Sequence, residues 1–174
     1  SDIETLNIVS TFVGSTALGA AEANTIDDIS ADTTLTAINV SGTEKTTITL
    51  GAEMTKLATF NASGTSDDVT VDASGLSSKT TFTGGSREDT FTMGTTLNNE
   101  DTIDGGADGT ASGENDLVTA TVTGLTSVTG ALNISNVEVI DLTNNGTATI
   151  NAASITGADS INVFASSDTT NFTN

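Results

Sequence analysis

The side chains with chemistry to offer in this 174-residue chain are carboxylates. Twenty-three Asp and Glu stand against Lys45, Lys56, Lys79 and Arg87, for a formal charge of −19. Asp67, Asp89 and Asp116 share a local setting, each two residues before an apolar residue (Val69, Phe91, Val118) in a strand-like run. Residues i and i+2 of a strand face the same way, so these carboxylates are expected at one corner, stacked above one another. Stacked like charges repel unless a cation lies between them. Calcium, which takes about six to eight oxygens, would answer the repulsion, with carbonyls of the turns SGTS (63–66) and GGSR (84–87) completing its shell. The competing reading makes the same aspartates turn caps or solvated charges on an acidic, merely soluble or halophilic surface.

A repeat must position them. In TAINVSGTEKTTITLG (36–51), ATFNASGTSDDVTVDAS (58–74) and TTFTGGSREDTFTMG (80–94), a short strand leads through a Gly-containing polar turn into a second strand. The first-strand apolar residues Ile38, Phe60, Phe82 and Ile103 are 22, 22 and 21 positions apart, and second-strand anchors Ile48, Val69 and Phe91 are 21 and 22 apart. Ile140 and Ile161 restore the spacing of 21 beyond a longer excursion near 105–136 with inserted loops. A recurring period of this size marks a stacked repeat. Thr, roughly a fifth of the residues, alternates with Val, Ile and Leu, as in Thr47-Ile48-Thr49-Leu50, which favours strands with one apolar face. The fold class expected is all-β: an elongated parallel β-solenoid (β-helix or β-roll) with short rungs of 21–22 residues over 1–174, one domain. A β-sandwich is the alternative architecture. Only ALGAAEANTIDDIS (17–30) is compatible with a short helix. A slower echo, DIETLNIVS (2–10) in NVEVIDLTN (136–144) and 25–41 in 149–165, suggests a piece of a longer chain or a unit that polymerises.

Here the chain resembles a family. GGSREDTFT (84–92) is similar to the calcium-binding RTX nonapeptide G-G-x-G-x-D-x-U-x, with Gly84, Gly85, Asp89 and Phe91 in register and Arg87 where the fourth-position glycine belongs. SGTSDDVTV (63–71) is a degenerate copy. DGGADGTASGENDLV (104–118) looks like the same element with an insertion, making Asp104 and Asp108 further candidate ligands beside Asp116. The wider chain resembles bacterial surface-layer proteins and large secreted adhesins. The resemblance implies secretion to the bacterial cell surface, calcium-dependent folding and self-assembly. Arg87 also reads as a surface residue pairing with Glu88 or with a neighbouring rung.

Composition removes other functions. So negative a surface repels nucleic-acid backbones, and no run approaches the ~18 apolar residues of a membrane span. Without His or Cys the common nucleophile–base pairs are missing, so no enzyme is expected; a carboxylate pair for glycoside cleavage would lack Trp and Tyr platforms. The expectation is an extracellular structural protein whose partner is itself, in a lattice or filament, with cell-surface polysaccharide as a further partner. A calcium-dependent adhesin binding a glycan or host surface is the alternative. Ice binding through Thr-x-Thr pairs carries less weight, because the rungs are irregular.

Overall fold

The computed structural model describes residues 3–11, 23–29, 33–107, 114–122, 130–165 and 169–173. Among them the regular structure is all strand, wound as a parallel β-solenoid. One sheet stacks β1 (Thr5–Ser10), β3 (Ala37–Gly42), β5 (Thr59–Thr65), β7 (Thr81–Thr83), β9 (Thr102–Asp104), β11 (Asn133–Ser135) and β14 (Ile155–Thr156) in that order. The second stacks β2 (Asn24–Ile29), β4 (Thr46–Leu50), β6 (Val69–Asp72), β8 (Thr90–Gly94), β10 (Leu117–Val122), β12 (Val139–Asn144) and β15 (Ser160–Ala165). Each turn of the chain lays one strand on each sheet, and every pairing is parallel, which separates this architecture from a β-sandwich. A third side, absent from the two-strand rung expected, appears late: β13 (Ala148–Asn151) pairs with β16 (Thr170–Thr173).

Alternation along the strands builds the interior. β4, β6 and β8 turn Ile, Leu, Val, Phe and Met inward and Thr47, Thr49, Thr70, Thr90 and Thr92 outward, and β3 turns Ile38 and Val40 inward. The first-sheet column runs Leu6, Ile38, Phe60, Phe82, Ile103, Ile134, Ile155, so the spacing of first-strand residues was a true register. Phe60, Phe82 and Phe91 are fully buried, and Phe82 lies 6.1 Å, centroid to centroid, from each of the other two rings. Such ring pairs stabilise by about 0.5–1.5 kcal/mol beyond their burial. They hold the two sheets together across the middle rungs.

The second-sheet column differs from the expected one. Ile48 lies opposite Val71, Val71 opposite Phe91, Phe91 opposite Val118, and Val118 opposite Ile140. Val69 therefore sits two residues early, and β-strand periodicity hides the error, because a slip of two keeps every side chain on its own face. Of the stretch compatible with a helix, residues 17–22 and 30 lie outside the described residues, and 24–29 form β2, with Thr25 and Ile26 paired to Thr47 and Ile48. The excursion near 105–136 supplies β10 and β11, both in register with their sheets. Its insertions, 108–113 and 123–129, lie outside the described residues. The slow echo does not superpose, since β1 belongs to the first sheet and β12 to the second.

Candidate functional site

The turns from the first sheet to the second share one corner, where the acidic residues gather. Register brings Asp89 and Asp116 together: Thr90 pairs with Leu117, so the aspartates just before them are level. Both are buried, in the position that Thr46 and Val69 occupy on earlier rungs. Asp67 is not in this column. It stands two residues ahead of Val69, half-buried on the outer side of the corner.

The buried carboxylates act on the backbone. The Val69 N–H donates to Asp89 Oδ1 at 2.7 Å, the Asp89 N–H to Asp116 Oδ1 at 2.7 Å, and the Asp116 N–H to Glu138 Oε2 at 2.8 Å. Each side chain thus takes the corner N–H of the rung before it, making a carboxylate ladder of three rungs. The other oxygen of Asp89 accepts the Gly85 N–H. A buried N–H left without a partner costs about 1–3 kcal/mol, so the ladder supports the corner directly. Burial pushes the Asp89 carboxyl up from 3.8 to about 7, against the pull of the N–H groups of Gly85 and Val69, which favour the anion.

The Gly-Gly pair has a steric reason. A Cβ at Gly84 would collide with the carbonyl oxygen of Gly105 on the next turn, and one at Gly85 with the Thr65 hydroxyl. Gly85 gives its N–H to Asp89 and its carbonyl to the Ala107 N–H at 3.0 Å. The donors that an RTX-type site would draw on here, the Asp89 carboxylate and the Gly85 carbonyl, are spent on the chain itself. The structure thus sets Asp89 beside Gly84 and Gly85 and level with Asp116, and leaves Asp67 outside that group. Among the described residues no three acidic side chains converge as a metal cluster. Asp104 accepts from the Gly106 N–H at 3.2 Å and the Asn136 amide at 2.8 Å, and Asp108 lies outside the described residues.

The outer side of the corner is organised by Arg87. Its guanidinium lies 3.0 Å from Glu114 on the following turn, and 3.7 and 4.0 Å from Asp68 and Asp67 on the preceding one. Lys45, one turn earlier again, reaches Asp68 at 3.2 Å. Arg87 occupies the fourth motif position, so a covalently held cation bridges turns just where the motif departs from RTX. Its neighbouring-rung pairing is the one observed.

Several participants escaped the sequence reading. Glu138 is two residues before Ile140, so the spacing that selected Asp89 and Asp116 selects it too. Asp101, buried at another corner, accepts the Thr80 N–H at 3.1 Å and the Asn98 N–H at 3.1 Å, and burial raises its carboxyl above the ordinary value. It has no motif around it. The sequence matches no protein-family model, no curated protein and no solved structure.

Proposed function

We propose that this chain is an extracellular structural protein of the bacterial cell surface, without catalytic turnover, that assembles with copies of itself and is stabilised by calcium. The observation that carries the reading lies at the two ends of the solenoid. Core columns that are sealed in the middle rungs become half-exposed in the terminal strands, at Leu6, Ile8 and Ile26 at one end and Ile155 and Ile161 at the other. The exposed large apolar residues among the described ones, Ile3, Val9, Phe164 and Phe172, fall in or beside β1, β15 and β16. Among the described residues, β1 and β2 at one end, and β14 and β15 at the other, each bond a neighbour in their sheet on one edge only. An edge of unpaired N–H and C=O groups over apolar side chains invites a further strand. Joining one end to the other is a heterologous contact, and such contacts extend rather than close.

Calcium enters this reading through charge. Neighbouring copies each carry −19, and a divalent cation lowers their repulsion. The ligands proposed are Asp67 and Asp104, whose carboxylates lie on the outer side, together with Asp108 beyond the described residues, because Asp89 and Asp116 face inward. Electron microscopy and light scattering across a calcium titration test the proposal. Filaments or sheets that grow with calcium and dissolve on chelation are expected; a chain that stays monomeric at high concentration in saturating calcium overturns it. The second reading, an adhesin, is favoured by a groove on the outer face of the second sheet.

A further inference from the structure

That groove lies where β8 ends and its neighbours run on. β8 stops at Gly94, while β10 continues to Val122 and β12 to Asn144. The β8–β10 register also shifts between Thr119 and Ala120, bringing Ala120 opposite Gly94. With no side chain at Gly94 and that of Ala120 turned into the core, a depression of about 310 Å³ opens there, near the lower size of small-ligand sites. Apart from the buried Ala120, outward-facing residues of four adjacent strands line it, a run of three inter-strand steps or roughly 14 Å.

The lining falls into two files. Thr92, Thr119 and Asp141 follow one another across the strands, and Thr121, Thr143 and Phe164 form the adjacent file. Asp141 is steadied by the Asn162 amide, which donates to its Oδ1 at 2.8 Å. Phe164 is 56% exposed, in contrast to the buried Phe60, Phe82 and Phe91. Its ring stands at the end of a file of hydroxyls.

We propose that this groove binds a neutral saccharide chain, a reading that rests on the adhesin alternative and names its site and ligand class. An aromatic face attracts the C–H bonds on the flat side of a pyranose, because the ring's π-face is electron-rich. Threonine hydroxyls donate and accept, so a row of them matches vicinal sugar hydroxyls, and the carboxylate of Asp141 takes two donors from one ring. The net charge of −19 repels uronic acids and sulfated sugars, which selects the uncharged class. Ligands of this class lie along the solenoid axis and reach the terminal strand β15 at Phe164.

The test uses the full chain at a concentration where light scattering reports monomers. Cellotriose, maltotriose and triacetylchitotriose are titrated separately while backbone amide shifts are followed. One of them is expected to move the amides of Thr119, Thr121, Asp141 and Thr143. Phe164→Ala should weaken that binding by about tenfold or more, and Asp141→Asn by a smaller factor. Thr47→Val, on the same face but two strands below β8, should leave it unchanged. Because Phe164 is exposed, its truncation spares the core, and a melting curve in each variant checks this. The proposal fails if none of the three sugars moves these amides at tens of millimolar, or if binding survives Phe164→Ala. It fails equally if tetramethylammonium saturates the groove while sugars do not. Scattering at high protein concentration in the same samples reads assembly independently, so loss of either property leaves the other measurable.

Discussion

Two files of carboxylates run side by side along one corner of the solenoid and do different work. The inner file, Asp89 and Asp116, is buried, and both oxygens of Asp89 and Oδ1 of Asp116 accept N–H groups. The outer file, Asp67, Asp68 and Glu114, is partly solvated and gathers around Arg87. Asp67 and Asp89 have the same sequence setting, an aspartate two residues before a strand valine or phenylalanine. What separates them is a slip of two positions between β6 and β8. Charge alone would treat them alike; burial decides which becomes part of the backbone's hydrogen bonding and which remains an electrostatic partner.

The largest consequence of this difference lies in removing the inner carboxylate. Asp89→Ala strands the buried N–H groups of Val69 and Gly85, at about 1–3 kcal/mol for each. Denaturant unfolding should show a loss of several kcal/mol, with Asp67→Ala within about 0.5 kcal/mol of the parent. Equal losses would erase the distinction between the files. Asp89→Asn gives a sharper cut: its NH2 group, turned to either side, faces an N–H donor, so the isosteric change should keep no more than one of the two bonds.

Acidity separates the files next. Asp89 has a folded pKa of about 7 against 3.8 as its ordinary value. The folded chain therefore binds this proton more tightly than the unfolded one. Stability from this group is fully present below about 3.8 and is lost as pH rises through about 7, so the melting temperature should climb between pH 8 and pH 5. Asp101, also raised by burial, adds in the same direction. Melting curves of the parent and Asp89→Asn across this window measure it: the variant should lose a distinct part of the pH-dependent gain. A parent whose stability falls over that range would contradict the burial argument.

Much of the solenoid could be read from periodicity because its first-sheet column tolerates no slip: Ile38, Phe60, Phe82 and Ile103 are large and evenly spaced. The second column was misread at one rung, since Val69 and Val71 are chemically alike and face the same side. That single ambiguity moved Asp67 into a file where it does not belong. The third side, β13 with β16, had no repeat to announce it within the chain. The ladder itself was illegible for a physical reason: a carboxylate's role depends on which N–H stands opposite, and that is set by turns of unequal length. The glycine pair was legible as a turn, but its collision partners, Gly105 and Thr65, lie a full turn away in either direction.

The smallest effect expected belongs to the outer file, and it tests whether Arg87 does the work of a bridging cation. Its side chain is 46% exposed, and exposed ion pairs contribute about 0–1 kcal/mol. Arg87→Gln should therefore lower stability only slightly, and the deficit should shrink as salt is raised, because screening weakens the parent's pairs with Asp67, Asp68 and Glu114. The informative measurement is the response of each protein to calcium. With Arg87 gone, Asp67 and Asp68 on the preceding turn and Glu114 on the following one lose the positive charge between them, and a divalent ion is the species that can restore it. Calcium should raise the melting temperature of Arg87→Gln more than that of the parent, while magnesium, which dehydrates reluctantly, should do less. Restoring the motif residue with Arg87→Gly should behave like Arg87→Gln towards calcium. If both variants respond to calcium as the parent does, Arg87 is a surface pair and no substitute for a metal ion.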